Sequence, residues 1–524
     1  MRRLTLAALV VLGAGSFAVR ARVSAADAAP TFTRDVAPIL YAKCVACHRA
    51  GEVAPMPLLT YQDARPFARA IRDKVAARQM PPWFADRSIG AFANGPSLTD
   101  AEIATISRWF EAGAPQGDAA AMPKPPQFTE GWQLGEPDQI IELPEVQIPA
   151  EGKDYFPTPS ITLDLKEDRW IRAIEIRPSN REVTHHSVIF ATNAGGILGG
   201  ASGFFDVLGV WAVGTPPTVY PEGMGRWIRK GQTLRTNLHY HPNGTPQVDR
   251  TRVGLYFGKG ELKKEVVAAL AGNLTFTIPP NAPNHELRAV YVIDQDVTAL
   301  SFFPHMHLRG KDMTMSATFP DGRRETLLNV PAYDFNWQLF YYPKQRVALP
   351  RGTRIDLVAH YDNSTANRHN PDPTKAVRFG EASTAEMMFG LFEFTADAGV
   401  SPKPATDRSR MDALMMTMPR ESTYLLEVPW GPQPTPIVLS LPRSGEAATI
   451  YVPLLGLVMP QAVDEVKWDG HSFECHSTFQ MPPPQFGNYT IAGTVDDTGR
   501  VTGTFKRRGT GQPPVYEFTG TRKQ

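Results

Sequence analysis

Residues 231–242 read Gly-Gln-Thr-Leu-Arg-Thr-Asn-Leu-His-Tyr-His-Pro. Leu234, Thr236, Leu238 and Tyr240 alternate with Arg235, Asn237, His239 and His241, and a period of two marks a strand with one face on a core. The same period recurs at 352–362, where Ile355, Leu357, Ala359 and Tyr361 share a face. Leu238-His239-Tyr240-His241-Pro242-Asn243-Gly244 and Ala359-His360-Tyr361-Asp362-Asn363-Ser364 are weakly alike, as two related β domains in tandem would make them. Short strands between turn clusters at this spacing predict sandwiches across 130–396. Strands return in 413–524, where 491–495 and 501–505 flank 496–500 as a hairpin.

Composition agrees with a turn-rich β protein. The chain has 524 residues, enough for three or four domains at roughly 150 residues each, with 42 glycines and 48 prolines. Lys+Arg (54) against Asp+Glu (53) leaves a net charge of +1. That gives no electrostatic case for nucleic acid or an anionic membrane surface. Three cysteines cannot build a disulfide framework.

Before the strands the pattern is different. Arg2 and Arg3, an apolar run to Val19 and Ser24-Ala25-Ala26 predict a cleaved signal peptide over 1–26, hence export to the periplasm or beyond, without a stable membrane span. Residues 30–115 read as helical. Phe32, Val36, Ile39 and Leu40 recur at helical spacing. Thr99-Asp100-Ala101-Glu102 is a capping box opening a helix with Ile103, Ile106, Trp109 and Phe110 on one face, and Gly113 stops it. Residues 116–129 and 397–412, polar and proline-containing, read as linkers. The expected architecture is a small all-α domain (30–115), two β-sandwiches of jelly-roll type (130–262 and 263–396) and a C-terminal β-rich domain (413–524).

Cys44-Val45-Ala46-Cys47-His48 is C-x-x-C-H. Two thiols at this spacing can form thioethers to the haem vinyls, and the adjacent histidine then sits under the iron. A redox C-x-x-C or a disulfide followed by a chance histidine is the bland alternative; the export signal and helical surroundings favour one covalent haem c. Met80, in Gln79-Met80-Pro81-Pro82-Trp83, is the favoured second axial ligand because prolines stiffen its loop. Met56 is the rival, and a free distal position the third case. The segment resembles a class I cytochrome c, which implies N- and C-terminal helices crossing beside the haem.

Most of the twelve histidines fall in the β region, and three groups stand out there. Val183-Thr184-His185-His186 holds an adjacent pair, Asn237-Leu238-His239-Tyr240-His241 an i, i+2 pair, and Phe303-Pro304-His305-Met306-His307 another. His305 and His307 project from one face of a strand and can chelate one metal. His185 and His186 should point to opposite faces, so joint ligation there requires a bend or a strand end. Imidazole suits zinc, copper or iron, and a thioether would select copper; Glu386-Met387-Met388 supplies one. Core or turn histidines are the bland alternative.

Taken together, these motifs resemble the copper type II, ascorbate-dependent monooxygenases, the family of peptidylglycine α-hydroxylating monooxygenase and dopamine β-monooxygenase. Thr184-His185-His186 is similar to that family's His-His pair, Leu238-His239-Tyr240 to its third histidine, the stretch from Pro216-Pro217 to Gly225 to the connection between them, His305-Met306-His307-Leu308 to its H-x-H, and Glu386-Met387 to its methionine. The resemblance implies two coppers facing each other across an open cleft. One, held by His185, His186 and His239, passes electrons. The other, held by His305, His307 and Met387, binds oxygen and hydroxylates a C–H bond. Residues 49–474 lack the cysteines that staple animal members. Phe303 stands where the peptide-amidating branch has an arginine for the substrate carboxylate, and Phe389 and Leu391 replace its Asn and Tyr. A glycine-terminated peptide is therefore not the expected substrate, and the pocket beside the second copper should be apolar.

Weaker candidates remain. His241 could replace His239, and His360 reads as a satisfied surface histidine. Met411, Met415, Met416 and Met418 read as core rather than a Cu(I) relay. His471, Cys475 and His476 read as an ordinary strand. The expected function is an exported haem c- and dicopper oxidoreductase that hydroxylates a small, fairly apolar molecule with O2. The haem feeds electrons to copper, and the external donor is an ascorbate-like reductant or a redox protein. The runner-up is a haem- and copper-binding electron-transfer or scaffold protein without hydroxylase activity. A zinc hydrolase at His185, His186 and His239 ranks last, because it leaves Met387 unused.

Overall fold

The computed structural model describes residues 29–523 except 51, 53, 55, 96, 129–130, 153, 193–206, 442–447, 455–456, 479–487 and 508–514. The signal peptide expected over 1–26 lies outside the described residues. Strands hold 41% of the described residues and helices 12%, so β-sheets set the architecture. No helix among the described residues is long and apolar enough to cross a membrane.

Helices gather at the N-terminal end. Phe32–Val36 runs into Ala37–Lys43, Tyr61–Ala64 continues into Ala68–Ala76, and Asp100–Glu111 follows. The capping box forms as read: Thr99 Oγ1 accepts the Glu102 N–H, and Glu102 accepts the Thr99 N–H at 2.7 Å. Gly113 ends the helix at φ 84°, where a side chain would be strained. Phe32, Leu40, Ile71, Ile106 and Trp109 close a core between these helices.

Two expected boundaries are corrected. Residues 83–92, counted with the helical segment, pack elsewhere: Ala85 is buried in the second sandwich, Trp83, Phe84 and Phe92 lie against its core, and the Trp83 and Tyr341 rings are 4.9 Å apart. Asn94 donates to the Phe340 carbonyl at 2.7 Å. The stretch 116–129 is no free tether. Met122 and Phe128 pack on the helical core, and Arg49 lies 3.9 Å over the Phe128 ring.

Each sandwich has two main layers of four strands. In the first, Gln139–Glu142, Arg252–Phe257, Arg169–Arg177 and Met224–Ile228 face Ser160–Thr162, Thr233–Tyr240, Thr184–Thr192 and Val207–Ala212. In the second, Lys264–Gly272, Phe389–Ala396, Val297–His305 and Val347–Leu349 face Arg324–Val330, Gly310–Thr318, Arg354–Tyr361 and His285–Val292. Leu234, Leu238 and Tyr240 are fully buried in the first core, and Ile355, Leu357, Ala359 and Tyr361 in the second. The two sandwiches share a sheet, because Lys264 and Glu265 pair in parallel with Met224 and Gly225.

The C-terminal strands make a closed barrel. The eight strands from Thr423–Val428 to Val515–Arg522 each pair antiparallel with the next, and the last returns to the first at Leu425↔Thr521. The expected hairpin is there, with Val495 opposite Val501. Barrels of eight strands are just wide enough to be filled by side chains, and Leu426, Ile450, Cys475, Ile491 and Phe505 fill this one. The supposed linker 397–412 runs into a helix, Asp407–Thr417, capped by Thr406 and Ser409. Met411, Leu414 and Met418 wedge it between the second sandwich and the barrel, while Met416 is exposed. Apolar contacts on two sides blur the amphipathic stripe that would have announced this helix.

Candidate functional site

The two adjacent histidines meet through an irregularity in their strand. Thr184 pairs with Tyr240 and His186 pairs with His239, so His185 is the extra residue of a β-bulge. A bulge re-aims a side chain that regular pleating would send to the other face. Ring centres of His185, His186 and His239 consequently lie 4.7–5.4 Å apart, and one ligand nitrogen from each falls within 4.8 Å of the others. His185 Nδ1 and His186 Nδ1 are 3.2 Å apart. Phe335 stacks on His185 at 4.8 Å and Phe156 on His239 at 4.2 Å. His239 is buried, whereas His241 is exposed just beyond the strand end.

On the second sandwich, the Val297–His305 strand pairs with Phe389–Ala396, placing His305 opposite Phe389. That register carries Glu386-Met387 alongside His307. Glu386 locks the arrangement: its fully buried carboxyl accepts the N–H of His307 (2.9 Å), Arg309 (2.7 Å) and Met387 (3.3 Å). Burial pushes Glu386 up to about 8, against these N–H groups and the Arg309 charge. His305 Nδ1 lies 2.9 Å from Gln338 Oε1, and His307 Nδ1 lies 3.3 Å from the Ala385 carbonyl, so Nε2 of each ring is turned toward ligation.

The two groups are not parted by an open cleft. The His186 and His305 rings are 6.4 Å apart, and Gln338 lies between them, with Nε2 3.5 Å from His186 Nδ1. Val207 and Val210 of one sandwich meet Ala268 and Phe303 of the other and close the seam. Apolar packing across a shared sheet draws the domains together. His186, His305, His307 and Met387 line one cavity of about 260 Å3, walled by Phe303, Phe389 and Leu391 among others. Phe303, Phe389 and Leu391 thus sit on its apolar wall.

Burial also sets the charge of the donors. It pushes His185 and His307 down to about 3 and His305 to about 4, with His186 well below its ordinary value. All four are neutral at pH 7, the state a metal requires. His185 Nε2 and both ring nitrogens of His239 are buried without hydrogen-bond partners, and unpaired buried nitrogens of this kind fit metal ligation. The donor set of five imidazoles and a thioether fits copper.

Cys44 and Cys47 are free thiols at the end of the first helix. The Cys47 and His48 N–H groups donate to the Cys44 carbonyl, forming the tight turn of the motif. His48 Nδ1 lies 3.1 Å from the Met56 carbonyl, which fixes the ring and leaves Nε2 outside that contact. These residues fit a covalent haem. Met56 packs on the helical core beside them, whereas Met80 opens the loop that leaves for the second sandwich and lies outside that core. A second cavity, about 380 Å3, lies between the motif and the first sandwich; Cys47, Arg49, Arg181 and Trp211 line it, and Val210 lines both cavities. Arg181 and Glu52 form an ion pair across this seam at 2.5 Å.

The remaining candidates are structural. His360 lies between Asp312 (2.7 Å) and Glu286 (3.5 Å). Cys475 points into the barrel, where burial pushes its thiol up to about 12, and neighbouring His476 faces Thr490. Asp154, Phe156, Phe335 and Gln338 escaped the sequence reading; each sits outside any motif, in irregular chain that only the tertiary fold brings to the histidines. No protein-family model matches the chain, and no curated protein is similar to it.

Proposed function

We propose that this chain is an exported haem c- and copper-containing monooxygenase, which hydroxylates a C–H bond of a small apolar molecule with O2 and draws its electrons through the haem. The observation that carries the reading is the convergence of His186, His305, His307 and Met387 on one apolar cavity, with His185 and His239 directly behind His186. Resemblance of these six positions to the copper type II monooxygenases supports it. Copper bound there would supply oxygen activation, and haem at Cys44, Cys47 and His48 would supply single electrons.

The rest falls to the chain's own residues. Phe303, Phe389 and Leu391 offer an uncharged substrate an apolar wall beside the ligands, while Arg235, Asn237 and Glu381 line other parts of the same cavity. Glu386 holds His307 and Met387 in one rigid unit, and Gln338 fixes the His305 ring. Val210 lines both cavities, so the Val207–Ala212 strand runs between the Cys47 side and the His186 side, a short route for electrons in this reading.

Elemental analysis of protein exported with haem-attachment machinery and loaded with Cu(II) should give one iron and two coppers per chain. Met387→Ile should abolish substrate-dependent oxygen uptake while the haem spectrum stays unchanged. Retained uptake would remove Met387 from the site. Two coppers without oxygen uptake for any apolar substrate would favour the electron-transfer reading.

A further inference from the structure

Segment 154–156 packs against His239. Tyr155 and Tyr240 exchange backbone hydrogen bonds, each at 3.0 Å, anchoring the segment to the end of the histidine strand. Phe156 lies flat on the imidazole. Asp154 Oδ2 lies 3.0 Å from His239 Nε2, at ion-pair distance but bent from ideal hydrogen-bond geometry. The same carboxylate receives His241 Nδ1 at 2.8 Å and the Ser383 hydroxyl at 2.7 Å. Ser383 belongs to the other sandwich, is buried, and stands four residues before Met387. Asp154 therefore touches a ligand of the first group and the loop that carries a ligand of the second.

We infer that Asp154 is a positioning residue for both metal groups: it holds the proton of His239 on Nε2, leaving Nδ1 for the metal, and through Ser383 it ties the Met387 loop across the domain seam. The inference rests on the copper reading for its metal consequences, but not for the tautomer. A carboxylate behind a ligating imidazole fixes ring orientation and raises basicity, and its loss typically costs about 10- to 100-fold in metal affinity. His241, exposed and beyond the strand, serves only to steady the carboxylate.

Asp154→Asn is the first test, read by Cu(II) titration, the copper EPR signal and the ring 15N shifts of labelled His239 in metal-free protein. Asparagine keeps the volume and one oxygen but loses the charge. Expected are a loss of about 10- to 100-fold in affinity at the three-histidine group, a changed copper hyperfine splitting and an altered His239 tautomer ratio, with the melting temperature unchanged. Wild-type affinity, EPR and 15N shifts in this variant would overturn the inference. Ser383→Ala separates the second role: it should weaken copper at His305, His307 and Met387 while leaving the His239 tautomer alone. Equal affinity there would overturn the link across the seam. If the unaltered protein takes up no copper, the monooxygenase reading fails, and the 15N shifts alone still decide whether Asp154 sets the tautomer.

Discussion

Glu386→Ala should lower folding stability by about 3 to 5 kcal/mol, because three buried backbone donors lose their acceptor. The carboxyl is fully buried and receives three backbone N–H groups, from His307, Arg309 and Met387. Alanine leaves all three without an acceptor and in a place water does not reach. Each orphaned donor costs about 1 to 3 kcal/mol. Arg309 softens the loss, since its guanidinium keeps Asn363 Oδ1 at 2.9 Å and the Thr384 carbonyl at 3.0 Å. The penalty does not depend on the charge of Glu386, because the N–H groups point at its oxygens in both protonation states. Glu386→Gln retains one acceptor oxygen and should cost about half as much. Urea unfolding at constant slope measures both. A loss below 1 kcal/mol in the alanine variant would sink the claim. A second consequence separates this residue from an ordinary core position: copper should be lost from His305, His307 and Met387 but kept by His185, His186 and His239.

Glu386 also marks where the sequence stops being legible. The residue is visible beside Met387, but nothing in one dimension says that its oxygens face the amides of His307 and Arg309, some 77 residues away in the chain. Period-two patterning located the strands at 233–240 and 354–361 because one face of each lies on a core. It could not foresee the bulge at His185, since a bulge is defined by the partner strand: only the pairing of Thr184 with Tyr240 and His186 with His239 reveals the extra residue. The barrel was readable as strands but not as a closed ring, because closure rests on pairing the first strand with the last, Leu425 with Thr521. The helix at 407–417 was hidden for a different reason, having apolar neighbours on two sides.

The closeness of the two histidine groups belongs with these tertiary facts. A reading from motifs fixes what each group offers but not the distance between them. That distance depends on the parallel pairing of Lys264 and Glu265 with Met224 and Gly225, and on valine and phenylalanine side chains filling the seam. Burial at this seam does two things at once. It lines the cavity with apolar side chains, and it disfavours the charged form of His185, His186, His305 and His307.

The second consequence yields the other large effect. Metal-free protein should lose on the order of 5 kcal/mol of stability between pH 6.5 and pH 4.5. Unfolded histidines titrate near 6.5, whereas His185, His305 and His307 are held at about 3, about 4 and about 3 by burial. Below pH 6.5 the unfolded chain therefore takes up protons that the folded chain refuses. Stability from these groups is complete above 6.5 and drains away as pH falls toward the folded values. At one pKa unit per 1.36 kcal/mol, two pH units cost about 2 to 3 kcal/mol for each histidine. His186 adds in the same direction. Glu386 opposes them, because its folded value of about 8 lies above its unfolded one; the folded chain already holds that proton, and the same two units return about 2 to 3 kcal/mol. Three histidines held low by burial outweigh one carboxyl held high, so the balance is a loss. Since whole domains have only about 5 to 15 kcal/mol in hand, a loss of that size should lower the urea midpoint of metal-free protein markedly between pH 6.5 and pH 4.5. His307→Gln should flatten the profile by roughly one histidine's share. Bound copper should hold the fold to lower pH, because it stabilises the folded state alone, and its uptake at pH 7 should release few protons from imidazoles that are already neutral. A stability profile flat from pH 7 to pH 4.5 in metal-free protein would mean that water reaches these rings, and burial could then not be what keeps them neutral.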